Sequence, residues 1–211
     1  MVNPAENSDT RQLILKVALR HFADRGCAGT SVQDIVDEAK VAKPMLYYYF
    51  QSKAGLYQAL IDMAHDERYR LMGEAAESGE NLRGKLTAIL LAIFGFIQNH
   101  RELVRLAFGS AFAAPGEMPP ELHYKEKCQR NFEFIHDLMK AGINEGELDG
   151  RFDSRELAMA WYGLVNIYVM GQLFQPEVSY SEKTARNVVD LFFSGADARR
   201  RKKGAGALAS A

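Results

Sequence analysis

"TSVQDIVDEAKVAKPMLYYYFQSK", residues 30–53, places two short helical patterns on either side of a three-residue turn. In the first, Val32, Ile35, Val36 and Ala39 recur on one face, and Ser31 stands where a hydroxyl can accept the Asp34 N–H. In the second, Pro44 falls in the first turn, where an N–H has no intrahelical partner to lose. Consecutive helical residues point about 100° apart, so Tyr47, Tyr48 and Tyr49 cannot share one core-facing stripe. At least one ring must meet solvent or a partner. Two short helices joined by a tight turn make a helix-turn-helix over residues 31–50 when a third helix braces them.

The brace precedes them. Ile14, Val17, Ala18 and Phe22 share a face of a helix from about Thr10 to Arg25, with Asp9 and Gln12 as a capping box and Gly26 as its stop. Ser52 opens a longer helix through Leu56, Tyr57, Leu60, Ile61 and Met63. Further helices are predicted over 82–98, 102–112, 121–143, 154–173 and 181–194, with "APGEMPP" (114–120) as the clearest loop. Asp153 and Glu156 form a second capping box. No alternating strand pattern of useful length occurs, so the fold class is all-α.

The 211 residues are 47% hydrophobic and 25% charged, ordinary for a globular protein. The net charge of −1 is unevenly spread: residues 1–57 carry +1, "RRRKK" (199–203) carries +5, and residues 58–198 carry −7. An acidic body does not sit on a polyanion, so nucleic-acid contact belongs to the ends of the chain. Two cysteines without ligand spacing, and a start lacking a basic-then-apolar leader pattern, predict a cytoplasmic protein. "LTAILLAIFGFI" (86–97) is too short to span a bilayer, so no membrane partner is expected.

Catalytic and metal chemistry find little footing. Asp62, His65 and Asp66 have helical spacing that can hold a cation, but no second ligand cluster accompanies them, and a solvated helix face is the plainer reading. There is no phosphate-cradling glycine loop, no nucleophile elbow and no cysteine–zinc pattern. His123, Cys128 and His136 lie along one helix without triad spacing. Neither an enzyme, nor a cofactor, nor a metal site is expected.

Residues 10–61 resemble the N-terminal DNA-binding domain of the tetracycline-repressor (TetR) family. The likeness rests on the Phe22–Gly26 helix end, the Thr30-Ser31 opening and "LYYYF" followed by Lys53. It implies a DNA-binding domain over 8–68 and a divergent helical ligand-binding and dimerisation domain over 69–198; by its own composition, 199–211 reads as a basic, disordered tail. It also implies a homodimeric repressor on a palindromic operator, dimerised through 154–173 and 181–194. The other reading is a helical binding protein or enzyme that no longer reads DNA.

Carried over by position, Lys43, Pro44, Met45 and Tyr47 would face the major groove, where Lys43 can donate to guanine and the apolar groups can meet a thymine methyl. Tyr48, Tyr49 and Lys53 would reach phosphates, as would Thr30 or Ser31, and Gln33 a base edge. Two departures bear on the turn: Lys40 stands where glycine is common, and Ala42 cannot cap the recognition helix. For the second domain, apolar residues from adjoining helices can line a cavity for a small hydrophobic or aromatic effector. They are Phe94, Ile97, Phe108, Phe112, Met118, Phe132 and Ile135, followed by Trp161, Tyr162, Asn166 and Met170, with Asn166 or Tyr162 meeting the polar end. Plain core packing is the competing reading for each.

Overall fold

A computed structural model describes residues 4–113, 119 and 122–196, and among them there are nine helices and no strand. These are α1 (Pro4–Arg25), α2 (Val32–Ala39), α3 (Lys43–Phe50), α4 (Lys53–Glu77), α5 (Leu82–Asn99), α6 (Arg101–Ala111), α7 (Lys125–Asn144), α8 (Ser154–Phe174) and α9 (Glu182–Ala196). Met118, most of the 114–120 loop and the basic tail lie outside the described residues.

Packing divides the chain into two compact units, residues 1–67 with 100–127 and residues 68–99 with 128–211. The segment 100–127, assigned by the sequence to the second domain, therefore groups with the N-terminal helices.

In unit 1, α1 packs against α2, α3 and α6. Ile14, Ala18, Phe22, Ile35, Leu46, Leu56 and Leu60 form its core, and the Phe22 and Tyr57 rings meet edge to face at 5.0 Å. Asp9 lies inside α1, which begins at Pro4, so it does not cap that helix. At α2 the Ser31 hydroxyl accepts the Asp34 N–H at 3.0 Å, as its spacing predicts. The start of α7 is a second difference, because the chain is not helical at residues 122–124. The Gln58 amide satisfies both backbone groups of His123 there, donating to its carbonyl at 2.9 Å and accepting its N–H at 2.7 Å.

In unit 2, α5 packs on α8 and α9, and α8 packs on α9. Leu86, Ile89, Ile93, Ile135, Met139, Trp161, Val165, Val188 and Val189 supply the core. Asp153 caps α8 by accepting the Arg155 and Glu156 N–H groups. One face of α8 is left uncovered, with Met159, Ile167 and Phe174 all exposed. By length and composition α8 can cross a membrane, and 33% of its apolar stretch is buried in this chain.

Candidate nucleic-acid interface and helical core

The turn between α2 and α3 fixes the candidate reading surface. Lys40 adopts the left-handed conformation (φ 54°, ψ 42°), and its N–H caps α2 on the Asp37 and Val36 carbonyls. A non-glycine residue there costs roughly 1–2 kcal/mol. Ala42 gives α3 no side-chain cap, Pro44 has no N–H and the Met45 N–H donates to the Ala42 carbonyl at 2.8 Å, so the partial positive end of the helix has no hydroxyl against it.

Around that helix start Lys43 and Pro44 are exposed and Met45 is half-buried. Lys43 makes no hydrogen bond or ion pair with the described residues. Tyr47 and Tyr48 are 42% and 70% exposed, whereas Leu46 and Phe50 on the opposite side are buried. Tyr49 is half-buried, its ring 5.1 Å from that of Tyr48 and 6.1 Å from that of Phe50. On α2, Gln33 is exposed and donates to Asp37 at 2.8 Å, and Ser31 is exposed beside it. An uncapped helix end flanked by an unpaired cation, exposed rings and amide or hydroxyl groups suits a polyanion with readable edges.

Two expected phosphate contacts are used differently. Thr30 is only 2% exposed, and its hydroxyl donates to the His21 and Gly26 carbonyls at 3.1 and 2.8 Å. The Lys53 ammonium turns inward and donates to the Cys27 and Thr30 carbonyls at 2.8 and 2.9 Å. The Thr30 hydroxyl ties the α1–α2 loop to α1, and Lys53 ties that loop to the start of α4.

Residues 14–60 match the family model described as bacterial regulatory proteins, tetR family. The probable HTH-type transcriptional regulator ArpR of Pseudomonas putida is 37% identical over 82% of this chain and 84% of its own length. The chain belongs to the tetR family. The HTH-type transcriptional regulator TtgR of Pseudomonas putida is 28% identical over the same shares of the two chains. Among solved structures, the transcriptional regulator FadR of Bacillus subtilis, in complex with stearoyl-CoA, superposes with a TM-score of 0.71 at 18% identity, covering 87% of this chain and 98% of its own. This tetR-family chain is thus a DNA-binding transcriptional regulator with an all-α fold.

Of the eleven residues expected at an effector cavity, Met118 lies outside the described residues and the other ten are divided between the two units. Phe108 and Phe112 belong to unit 1, where their rings lie 5.2 Å apart and Phe112 is 74% exposed. In unit 2, Phe94 joins Tyr168 and Tyr180 in a separate aromatic group, and Phe132 lies under the Arg155 guanidinium. A narrow space does exist in the unit 2 core. It is lined by Arg68, Met72, Ile93, Ile135, Trp161, Tyr162 and Val165, and is too tight to admit water. Ile135, Trp161 and Tyr162 were expected there, whereas Phe94, Ile97, Phe132, Asn166 and Met170 do not line it. On α5 the wall residue is Ile93, one position and about 100° from the expected Phe94. Arg68 was not expected, because nothing in the sequence near residue 68 marks a cation whose Nε is enclosed.

Other polar clusters are structural ties. Lys127 sits between Asp66 and Asp62 at 2.6 and 3.2 Å, so those carboxylates are already paired. Burial pulls the Lys127 pKa down, but hydrogen bonds to the two carboxylates outweigh it and the net direction is up. Buried His136 links α7 to α8, with Nδ1 at 2.9 Å from Glu133 and Nε2 at 2.9 Å from the Ser154 hydroxyl. That relay resembles a triad, yet Asp153 already occupies the Arg155 and Glu156 N–H groups that would stabilise an oxyanion beside Ser154.

Proposed function

We propose that the chain is a cytoplasmic, homodimeric repressor that holds a palindromic operator and releases it when a small, mainly hydrophobic or aromatic effector binds unit 2. The observation that carries this reading is the exposed, unpaired Lys43 beside the uncapped start of α3. Lys43, Pro44, Met45 and Tyr47 read base edges. Ser31, Tyr48 and Tyr49 hold phosphates, and Gln33 reaches a base edge once it exchanges its Asp37 contact. Thr30 and Lys53 set the angle at which α3 is presented. The uncovered apolar face of α8, with Leu191 exposed on α9, supports a two-fold contact between copies of the chain. Two reading heads would then meet half-sites about one helical turn, roughly 34 Å, apart. FadR's complex with stearoyl-CoA supports a ligand-responsive second unit.

The effector acts by binding one of two dimer states better than the other, which lowers operator affinity by the same factor that operator lowers its own. Sequencing the genomic fragments retained by the full-length protein tests the reading. A shared palindrome with half-sites one helical turn apart is the expected result. Retention without sequence preference would reject it.

A further inference from the structure

Arg68 of α4 and Tyr162 of α8 form the polar side of the narrow space in unit 2, with Met72, Ile93, Ile135 and Trp161 opposite. The guanidinium carbon of Arg68 lies 5.2 Å from the Tyr162 ring centroid. Its Nε is fully enclosed and has no hydrogen-bond partner, and the same is true of the Tyr162 hydroxyl. Arg68 forms no ion pair among the described residues. A guanidinium stays charged at any working pH; Arg68 as a residue is half-buried, and the unfavourable part is its enclosed Nε–H, which no acceptor meets. Water cannot offset that cost here, because the space is too tight to admit it.

The unmet groups are of one kind. Arginine Nε–H and a phenolic O–H are both donors, and burial raises the phenol pKa against the opposing pull of Arg68, so the O–H keeps its proton. Two donors and a fixed positive charge call for an acceptor carrying negative charge. The rest of the wall is aliphatic or aromatic. The space admits nothing as large as water as it stands, so a ring or a short chain enters only as the apolar walls move apart.

We propose that this space receives the carboxylate of a small monoanionic effector, an aryl or short-chain acid, through Arg68 and Tyr162. The proposal rests on the effector reading above and gives that ligand its polar end, which the sequence had placed at Asn166 or Tyr162. Arg68 engages the carboxylate with its fork of donors, Tyr162 adds one hydrogen bond, and the apolar body displaces the packing of Met72 and Ile135. Asn166 takes no part.

Matched pairs test it on the full-length protein: benzoate against benzamide, and octanoate against octanol, by calorimetry and thermal shift. The acid of at least one pair should bind roughly ten-fold or more tightly than its neutral partner and raise the melting temperature. Arg68→Met should erase that preference and Tyr162→Phe should reduce it several-fold, with far-UV circular dichroism confirming the fold. If Arg68→Met does not fold, Arg68→Lys keeps the charge, loses the fork and should weaken acid binding while retaining some preference over the neutral partner. The proposal is overturned if both acids bind no better than their neutral partners, or if the preference survives in folded Arg68→Met. A neutral compound that binds and releases DNA while neither acid does sinks the carboxylate proposal and leaves the effector reading standing. Acid-selective binding that leaves operator affinity unchanged does the reverse.

Discussion

In unit 1 two neighbouring tyrosines stand in solvent beside an unpaired lysine, whereas in unit 2 a tyrosine hydroxyl and an arginine Nε are enclosed without partners. The same chemical groups carry opposite costs in the two settings. Exposed phenols and ammonium groups remain hydrated, so folding loses nothing by leaving them unpaired, and a DNA partner can take them up directly. Enclosed donors have lost water and gained nothing, so the folded chain carries an unfavourable term that a matching ligand removes. One unit is therefore a finished surface awaiting a rigid partner. The other is a closed core that must rearrange to accept one.

That contrast has functional meaning only if both units act within a dimer, and Gly163→Arg is the change expected to break it most severely. Gly163 lies on the uncovered side of α8 near Met159 and Ile167, and open space surrounds the position a Cβ would take. An arginine fits there on the isolated chain but would put charge into an apolar contact between copies. Sedimentation should show a folded monomer, and operator affinity should fall by on the order of a hundred-fold or more as the two-site advantage disappears. A folded dimer would move the interface away from α8. Gly171 is the poorer probe, because the Tyr180 hydroxyl of the same unit occupies the space its side chain would need.

Lys43→Ala sharpens the description of unit 1 as a finished surface. The side chain has no partner in the described fold, so its loss should leave thermal stability unchanged. Operator affinity should drop by about 1–3 kcal/mol, with relaxed preference at one base pair per half-site. Titrations against operator variants and random DNA would check this. Unchanged affinity and unchanged preference would remove α3 from the role of recognition helix.

The two units also differ in how far the sequence reveals them. Every feature that shapes α2 and α3 is local: the Ser31 cap, the apolar spacing of Val32 to Ala39, Pro44 in a first turn, and too short a link for anything but a turn. Such features lie within a few residues of one another and can be read in order. Lys53 is not local. Its carbonyl partners lie 26 and 23 residues earlier, so an expectation of phosphate contact had nothing to oppose it until the chain was folded. The Arg68–Tyr162 pair spans 94 positions and two helices, and neither residue is unusual in its own segment. Likewise the start of α7 is decided by Gln58, 65 residues upstream, and not by the helix pattern around Glu121. Cores of helical bundles are assembled by such distant pairs, which is why their surface-facing turns are legible and their pockets are not.

Lys53→Met tests whether that residue belongs to the surface or to its support. As a support, it holds two loop carbonyls that lose a charged donor when it is removed, for a destabilisation of about 1–3 kcal/mol. Denaturant unfolding should show that loss, and DNA binding should weaken alike for all sequences through a less ordered α1–α2 loop. Its salt dependence should stay the same, since no phosphate contact is lost. Full stability with a flatter salt dependence would instead return Lys53 to the phosphate backbone.

The smallest expected effect lies in unit 2, where Glu133→Gln probes a polar tie that is already satisfied, unlike the Arg68 site. The hydrogen bond from His136 holds the Glu133 carboxyl below its ordinary value of 4.5, desolvation works against it, and Arg155 helps at 3.1 Å. A depressed carboxylate pKa contributes stability that is fully present above the unfolded value. That contribution is lost as pH falls through the folded one. The wild type should therefore melt slightly above Glu133→Gln near neutral pH, with the gap narrowing as pH drops below about 4.5 and closing once the folded carboxylate is protonated. Because Glu133 and Arg155 are partly exposed, added salt should shrink the gap at neutral pH. A gap that keeps its size down to the most acidic folded condition would mean that Glu133 acts through shape and not charge, and that the His136–Ser154 contact alone joins α7 to α8.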